Sequence, residues 1–155
     1  RPWVVADIMN TNPYTLPATA KIRDAIAIMK ETETNGVPLL DEANQVVGFL
    51  SDGDILKYLA RHESSQTDGL SYIIMLETDS FQERIRAVYD LNVMRLATKS
   101  VITVDANEQA DLAFRTLSDK KIKKAPVVKD GKLVGTLSRR NIMKALDIME
   151  QAIEA

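Results

Sequence analysis

The feature that most constrains the fold of this chain is an internal repeat. The segment GFLSDGDILKYL at residues 48–59 returns 87 residues later as GTLSRRNIMKAL at residues 135–146. Six of the twelve positions are identical, and Asp54 of the first copy is replaced by Asn141 in the second. Such a repeat predicts two copies of one structural unit that pack against each other.

The similarity continues upstream of both segments. Residues 36–48 and 124–135 each predict two short strands around a polar turn. Asp130-Gly131 is a strong signal for a tight hairpin, and residues 41–44 form a looser turn signal. An amphipathic helix precedes each strand pair, because apolar residues recur there at helical spacing. These residues are Ile22, Ala25, Ile26 and Met29 in the first copy, and Ala110, Ala113, Phe114 and Leu117 in the second.

Each unit is completed by elements at its two ends. A Met-containing turn and a short extended segment come before the first helix, at residues 7–16 and 92–104. A second helix follows each repeated Ser, from residue 52 to about residue 61 and from residue 139 to about residue 155. The last helix carries a predicted apolar stripe of Ile142, Leu146, Met149 and Ile153.

The predicted fold class is therefore α/β of the α+β type, with two β-α-β-β-α repeats. A unit of about 55 residues is marginal alone, so the two repeats are expected to share a core with pseudo-twofold symmetry and two equivalent clefts. We assign residues 1–62 to the first repeat, 63–91 to a linker and 92–155 to the second repeat.

The linker contains more than a simple connection. Residues 63–69 are polar, residues 72–76 are apolar, and residues 81–91 predict a helix capped by Asp79 or Ser80. Two interpretations remain open at this point. The linker covers core surface, or it contacts a second copy of the chain or another partner.

Composition argues against an enzyme. The chain has no Cys, and its single histidine, His62, lies at a predicted helix end where a solvated role is expected. We find no metal-ligand spacing, no phosphate-binding glycine loop and no nucleophile with a base nearby, so we predict neither catalytic nor metal-binding residues. A net charge of -2 argues against nucleic-acid binding.

The expected setting of the chain follows from what the sequence lacks. No apolar run reaches the length of about 18–20 residues that a membrane span needs, and no signal peptide is evident. We therefore expect no membrane contact by this segment and a cytoplasmic location. The chain begins Arg1-Pro2, and we expect it to be part of a longer protein that carries an effector domain.

The repeated Ser has two possible roles. Ser51 with Asp54, and Ser138 with Asn141, have the spacing of a capping box that satisfies free amides at a helix start. The same geometry suits a nucleotide, because helix amides and a hydroxyl favour phosphate while a carboxylate accepts hydrogen bonds from a ribose diol. Basic residues that suit the phosphate lie near the second copy: Lys123, Lys124, Arg139 and Arg140.

With these residues in view, the chain resembles a tandem pair of cystathionine-β-synthase (CBS) domains. The resemblance rests on Gly-x-x-Ser-x-x-Asp/Asn at residues 48–54 and 135–141, and on the dipeptides Val37-Pro38 and Ala125-Pro126. It implies a compact module, usually a homodimer, that regulates channels, transporters, kinases or metabolic enzymes. Many such pairs bind adenosine ligands between the repeats, namely AMP, ADP, ATP or S-adenosylmethionine, and require no cofactor.

The resemblance also implies which residues form each cleft. One cleft would combine Ser51 and Asp54 with Thr103, Lys124 and Ala125. The other would combine Ser138 and Asn141 with residues of the first repeat, namely Thr15, Ala20, Gly36 and Val37. Family resemblance thus predicts an adenosine-binding regulatory module, with a structural dimerisation module whose clefts are non-functional as the alternative.

The change from Asp54 to Asn141 predicts unequal clefts. Asn offers one neutral acceptor, so its bond to ribose should be weaker by about 1–2 kcal/mol. The basic residues near Asn141 should compensate if the ligand carries phosphate. We therefore expect one principal site per chain, at Asn141 for a phosphorylated ligand and at Asp54 for one without phosphate.

Overall fold

The structure is a computed structural model that describes residues 1–60 and 80–154. Each repeat folds as predicted, into β-α-β-β-α. The first repeat consists of β1 (Leu16–Pro17), α1 (Ile22–Thr32), β2 (Gly36–Leu40), β3 (Val46–Ser51) and α2 (Asp52–Ala60). The second repeat consists of β4 (Val104–Asp105), α4 (Ala110–Asp119), β5 (Lys124–Lys129), β6 (Lys132–Ser138) and α5 (Arg139–Glu154). Helix α3 (Phe81–Val88) lies between them.

The two sheets have the same topology. In each, a short first strand pairs in parallel with the second, which pairs antiparallel with the third. The predicted hairpin at Asp130-Gly131 is confirmed, because both residues have positive φ, at 52° and 78°, as a type I′ turn requires. The looser turn is held by Asp41, whose carboxylate accepts hydrogen bonds from the Ala43 and Gln45 amides at 2.9 Å.

The two halves exchange their leading segments. Val5, in a 3₁₀ turn at Val5–Asp7, is fully buried in the core of the second repeat, and its amide donates to the Glu108 oxygen at 2.9 Å. Val93, in the matching turn at Val93–Arg95, is fully buried in the core of the first repeat and donates to the Ala20 oxygen at 2.9 Å. Separation of the halves would therefore expose both cores.

The repeated glycines allow these exchanged segments to approach the sheets. A Cβ at Gly135 would lie 2.5 Å from the Asn10 oxygen and 2.9 Å from Met9 Sδ. A Cβ at Gly48 would lie 3.1 Å from Met94 Sδ. Close backbone contact at Gly135 explains in physical terms why the repeated segment begins with glycine.

The linker helix and the last helix differ in how they pack. The predicted cap of α3 is Ser80, whose hydroxyl accepts from the Glu83 amide at 3.1 Å, and Val88 of α3 is buried in the first core. The rest of the linker prediction, at residues 62–79, lies outside the described residues. In α5 the predicted stripe is buried only at Ile142, since Leu146 and Ile153 are exposed. Among the described helices, none has the length and apolar character to cross a membrane.

Candidate functional site

Two clefts lie where the third strand of each repeat runs into its last helix. The Asp54 cleft, of about 400 Å³, is lined by Ser51 and Asp54 and, from the second repeat, by Ile102, Ile122 and Lys124 among others. The Asn141 cleft, of about 440 Å³, is lined by corresponding residues. These are Ser138 and Asn141 from the second repeat, with Thr34 and Asn35 from the first among others. The clefts therefore obey the pseudo-twofold relation of the repeats.

The capping box of α2 is present and uses only one carboxylate oxygen of Asp54. The Ser51 amide donates to Asp54 Oδ2 at 2.9 Å, and the Asp54 amide donates to Ser51 Oγ at 3.2 Å. Asp54 Oδ1 accepts no hydrogen bond from the described part of the chain. The half-buried carboxylate thus keeps one charged acceptor for a group in the cleft.

The capping box of α5 uses Asn141 differently. Asn141 Oδ1 accepts from the Ser138 amide at 2.9 Å and from Ser138 Oγ at 2.8 Å. The acceptor of the amide is therefore occupied, and Asn141 has its Nδ2 donor left for the cleft. Asp54 and Asn141 close the same cap but offer opposite hydrogen-bonding partners to a ligand.

The walls of the clefts also differ. Phe49, Val101, Ile102 and Ile122 line the Asp54 cleft. At the places of Phe49 and Ile122, the Asn141 cleft has two threonines, Thr136 and Thr34. Only the Asp54 cleft therefore combines apolar walls with a carboxylate, the mixture that suits a partly apolar ligand.

Cations lie at both clefts. Lys123 and Lys124 line both, Lys121 lines the Asp54 cleft, and Arg139, Arg140 and Lys144 line the Asn141 cleft. The sequence associated the basic residues with the second copy of the motif, apart from Lys124, which the resemblance placed in the Asp54 cleft; the structure brings Lys123 to the Asp54 cleft as well. The Lys123 and Lys124 side chains of the second repeat reach the region between the clefts, so the Asp54 cleft also has cations for a phosphate.

Lys124 is the most buried of these cations. Its Nζ donates to the Gly36 oxygen at 3.2 Å, and burial lowers the pKa of the ammonium below its ordinary value. Gly36 is the counterpart of Lys124, because Gly36 pairs with Ser51 as Lys124 pairs with Ser138. A single half-buried cation therefore lies between two clefts whose lining positions are related by the repeat.

Other predicted site residues lie in or behind the sheets. Pro126 lines the Asp54 cleft, whereas the Val37 and Ala125 side chains are fully buried in the two cores and Pro38 is also buried. Ala20 is buried in the first core. Seven predicted residues are not among those that line either cleft: Thr15, Ala20, Gly36, Val37, Pro38, Thr103 and Ala125.

Sequence analysis missed several cleft residues. Ile102, next to the predicted Thr103, lines the Asp54 cleft together with Phe49, Thr98, Lys121 and Ile122. For Phe49 and Ile122 the signal was available in the repeat, since Thr136 and Thr34 occupy the matching places in the Asn141 cleft. Within residues 1–60 and 80–154, no group of three His, Cys, Asp or Glu side chains is placed to hold a metal ion.

These features define a class of protein, a tandem α+β repeat pair with one cleft at the strand-to-helix junction of each repeat. The family model for the CBS domain matches residues 5–61 and 90–148. The chain belongs to the CBS domain family.

Curated relatives agree with this assignment. The chain is 29% identical over 150 residues to CBS domain-containing protein CBSX2, chloroplastic, of Arabidopsis thaliana, with 92% of this chain and 63% of that protein covered. It is 25% identical over 153 residues to the uncharacterized protein MJ1426 of Methanocaldococcus jannaschii, with 92% and 90% covered. The chain spans about 60% of the length of CBSX2 and of a second similar protein of Arabidopsis thaliana, CBS domain-containing protein CBSX1, chloroplastic.

Solved structures show the same fold. A crystal structure of CBSX2 in complex with AMP has a TM-score of 0.72 at 28% identity and covers 94% of this chain and 97% of that chain. The CBS domain pair of MJ0100, in complex with 5-methylthioadenosine and S-adenosyl-L-methionine, has a TM-score of 0.71 at 23% identity, covering 96% and 99%. At this lower identity, MJ0100 supports the fold alone.

Proposed function

We propose that this CBS pair is a regulatory module that binds an adenosine nucleotide of the AMP, ADP or ATP class in the Asp54 cleft. The observation that carries the proposal is the hydrogen bonding of the Asp54 carboxylate. Its carboxylate closes the cap of α2 through Oδ2 and leaves Oδ1 for a ligand. A carboxylate is the acceptor that suits the paired hydroxyls of ribose.

The remaining groups of the cleft match the other parts of a nucleotide. Val101, Ile102 and Ile122 provide an apolar surface for the adenine ring. Lys121 and Lys123 provide charge for phosphate, and the Gly53 amide at the start of α2 provides a hydrogen-bond donor. Three lysines at one cleft favour a phosphorylated ligand over the sulfonium cation of S-adenosylmethionine.

This assignment reverses the preference expected from the sequence for a phosphorylated ligand. The Asn141 cleft is richer in arginine, but Asn141 has its acceptor occupied and Thr34 replaces an apolar wall residue. We therefore assign it the weaker affinity for a nucleoside. The AMP complex of CBSX2, a relative at 28% identity, supports adenosine binding by this pair without assigning a cleft.

The ligand would regulate by binding between the two repeats, which exchange their leading segments. A ligand that contacts both repeats biases their relative angle by as much as its affinities for the two arrangements differ. An attached or partner domain would sense that angle. The alternative, a structural dimerisation module, is favoured by the fact that both capping boxes are complete without any ligand.

Thermal unfolding against AMP, ADP, ATP, NAD and S-adenosylmethionine tests the proposal. A nucleotide at one hundred times its Kd should add about 2.7 kcal/mol, which raises the Tm by about 5–10 °C. Asp54→Asn is the matched control, because Asn141 shows that Asn closes the same cap. If none of these ligands raises the Tm and the chain forms a stable dimer in solution, the structural alternative is favoured.

A further inference from the structure

One half-buried cation is shared by the two clefts. The side chain of Lys124 lines the Asp54 cleft and the Asn141 cleft, and its ammonium lies 3.2 Å from the oxygen of Gly36. Gly36 is the residue that holds the position of Lys124 in the first repeat. The side chain therefore reaches across the pseudo-twofold axis to its own counterpart.

The first repeat has no room for a lysine at Gly36, the position that matches Lys124. A Cβ at Gly36 would lie 2.7 Å from Phe49 Cε1 and 2.8 Å from Phe49 Cζ. Any side chain there would require the Phe49 ring to move. If both repeats carried a lysine at this position, each cleft would have such a cation of its own. The packing of Phe49 against Gly36 leaves Lys124 as the one lysine at this position of the repeat.

We propose that Lys124 couples the two clefts negatively, so that phosphate bound in one cleft lowers the affinity of the other cleft for a second phosphate. This inference rests on the proposed function and adds a relation between the clefts. Lys123 also lines both clefts, but it is exposed and water screens its charge.

The local environment explains why Lys124 would respond to a phosphate. The ammonium is half-buried, and the described residues provide one acceptor for its three donors, the Gly36 oxygen. A phosphate offers a charge-assisted hydrogen bond, which is stronger than a bond to a neutral carbonyl. One side chain serves one phosphate at a time, and by linkage each site weakens the other equally.

An AMP titration followed by ¹H–¹⁵N NMR tests the coupling. The Gly53 amide at the start of α2 reports on the Asp54 cleft, and the Arg140 amide at the start of α5 reports on the Asn141 cleft. Both curves are fitted to two sites with one interaction constant. The salt is about 0.15 M, at which charges more than about 8 Å apart are largely screened.

In the wild type, we expect AMP in the Asp54 cleft to weaken AMP binding at the Asn141 cleft about tenfold, within the usual range of about 5–150-fold. Adenosine, which lacks phosphate, should show less than about twofold coupling. Lys124→Gln should reduce the coupling of AMP below about threefold. Lys121→Gln is the control, because Lys121 lines only the Asp54 cleft; it should weaken AMP there and preserve the coupling.

Four results would overturn the inference, and they separate its failure from failure of the proposed function. Equal coupling for AMP and adenosine in the wild type would refute the role of Lys124 without the need for a variant. Full coupling of AMP in a folded Lys124→Gln protein would refute it as well. Binding of AMP with no coupling leaves the proposed function intact and refutes only the sharing of Lys124. Absence of AMP and adenosine binding at both amides refutes the proposed function, and the coupling with it.

Discussion

The ammonium of Lys124 donates a hydrogen bond across the pseudo-twofold axis to the backbone oxygen of Gly36, its counterpart in the first repeat. This contact breaks the symmetry of two clefts that the repeated sequence would otherwise make alike. Asp54 and Asn141 break it a second time, because one presents an acceptor and the other a donor. The two clefts are therefore expected to have different affinities for the same nucleotide.

Asp54→Asn should weaken AMP binding without loss of the fold. The change removes the charged ribose acceptor at a cost of about 1–2 kcal/mol, which corresponds to a Kd about 5–30-fold higher. The ligand-free Tm should change little, since Asn141 closes the equivalent cap. Titration calorimetry gives the Kd, and an unchanged Kd in a folded variant would remove Asp54 from the site.

Asn141→Asp is the reciprocal variant. It places a carboxylate at the start of α5, as Asp54 does at the start of α2, and keeps the cap, as Asp54 shows. The affinity of the Asn141 cleft for adenosine should rise, by up to about tenfold because the threonine walls remain. The Arg140 amide shift in NMR measures it, and a fall in affinity would contradict the account.

The lysines of the Asp54 cleft should contribute to phosphate binding. Lys121→Ala with Lys123→Ala should raise the Kd for AMP about tenfold and change the Kd for adenosine by less than about twofold. The salt dependence of AMP binding should fall as well, because fewer charged contacts are screened. Arg139→Ala with Arg140→Ala is the matched comparison, and a larger loss of AMP affinity in that variant would place the phosphate in the Asn141 cleft.

Gly135→Ala should destabilise the chain. Its Cβ would lie 2.5 Å from the Asn10 oxygen, so the exchanged segment must shift, at a cost of about 1–3 kcal/mol typical of overpacking. Gly53→Ala is the control, because its Cβ would be 3.5 Å from Ser51 Oγ, an ordinary contact. Urea unfolding measures both, and equal stabilities of the two variants would contradict this role of Gly135.

Lys124 should make the free energy of unfolding depend on pH in the alkaline range. Burial lowers the pKa of Lys124 in the folded chain below the ordinary value of 10.5. Between the lowered value and 10.5 the unfolded chain binds more protons, so stability rises with pH in that window. Urea unfolding should show the wild type gaining stability relative to Lys124→Gln as the pH rises toward 10.5. A relative loss would contradict the burial of this ammonium.

Most of the fold follows from local sequence patterns. The helical spacing of Ile22, Ala25 and Met29 predicted α1, and Asp130-Gly131 predicted a hairpin that needs two positive φ angles. Ser80 was one of two predicted caps of the linker helix, and its hydroxyl does accept from Glu83. These features depend on neighbouring residues, which is why one sequence suffices to predict them.

The division of residues between the clefts did not follow from the sequence. Lys123 precedes the second copy of the motif and was associated with the Asn141 cleft, whereas the resemblance placed Lys124 in the Asp54 cleft, yet each of the two lysines lines both clefts. Their reach depends on how the repeats face each other. The exchange of Val5 and Val93 between cores is also a long-range feature that no local pattern encodes.

The most direct test of the central claim is a crystal structure of the chain grown with saturating AMP. We predict density for AMP in the Asp54 cleft, with a ribose hydroxyl at a hydrogen-bonding distance of about 2.5–3.0 Å from the Asp54 carboxylate. The adenine ring should contact Ile102 and Ile122, and the phosphate should lie near the lysines. AMP found only in the Asn141 cleft would contradict the assignment.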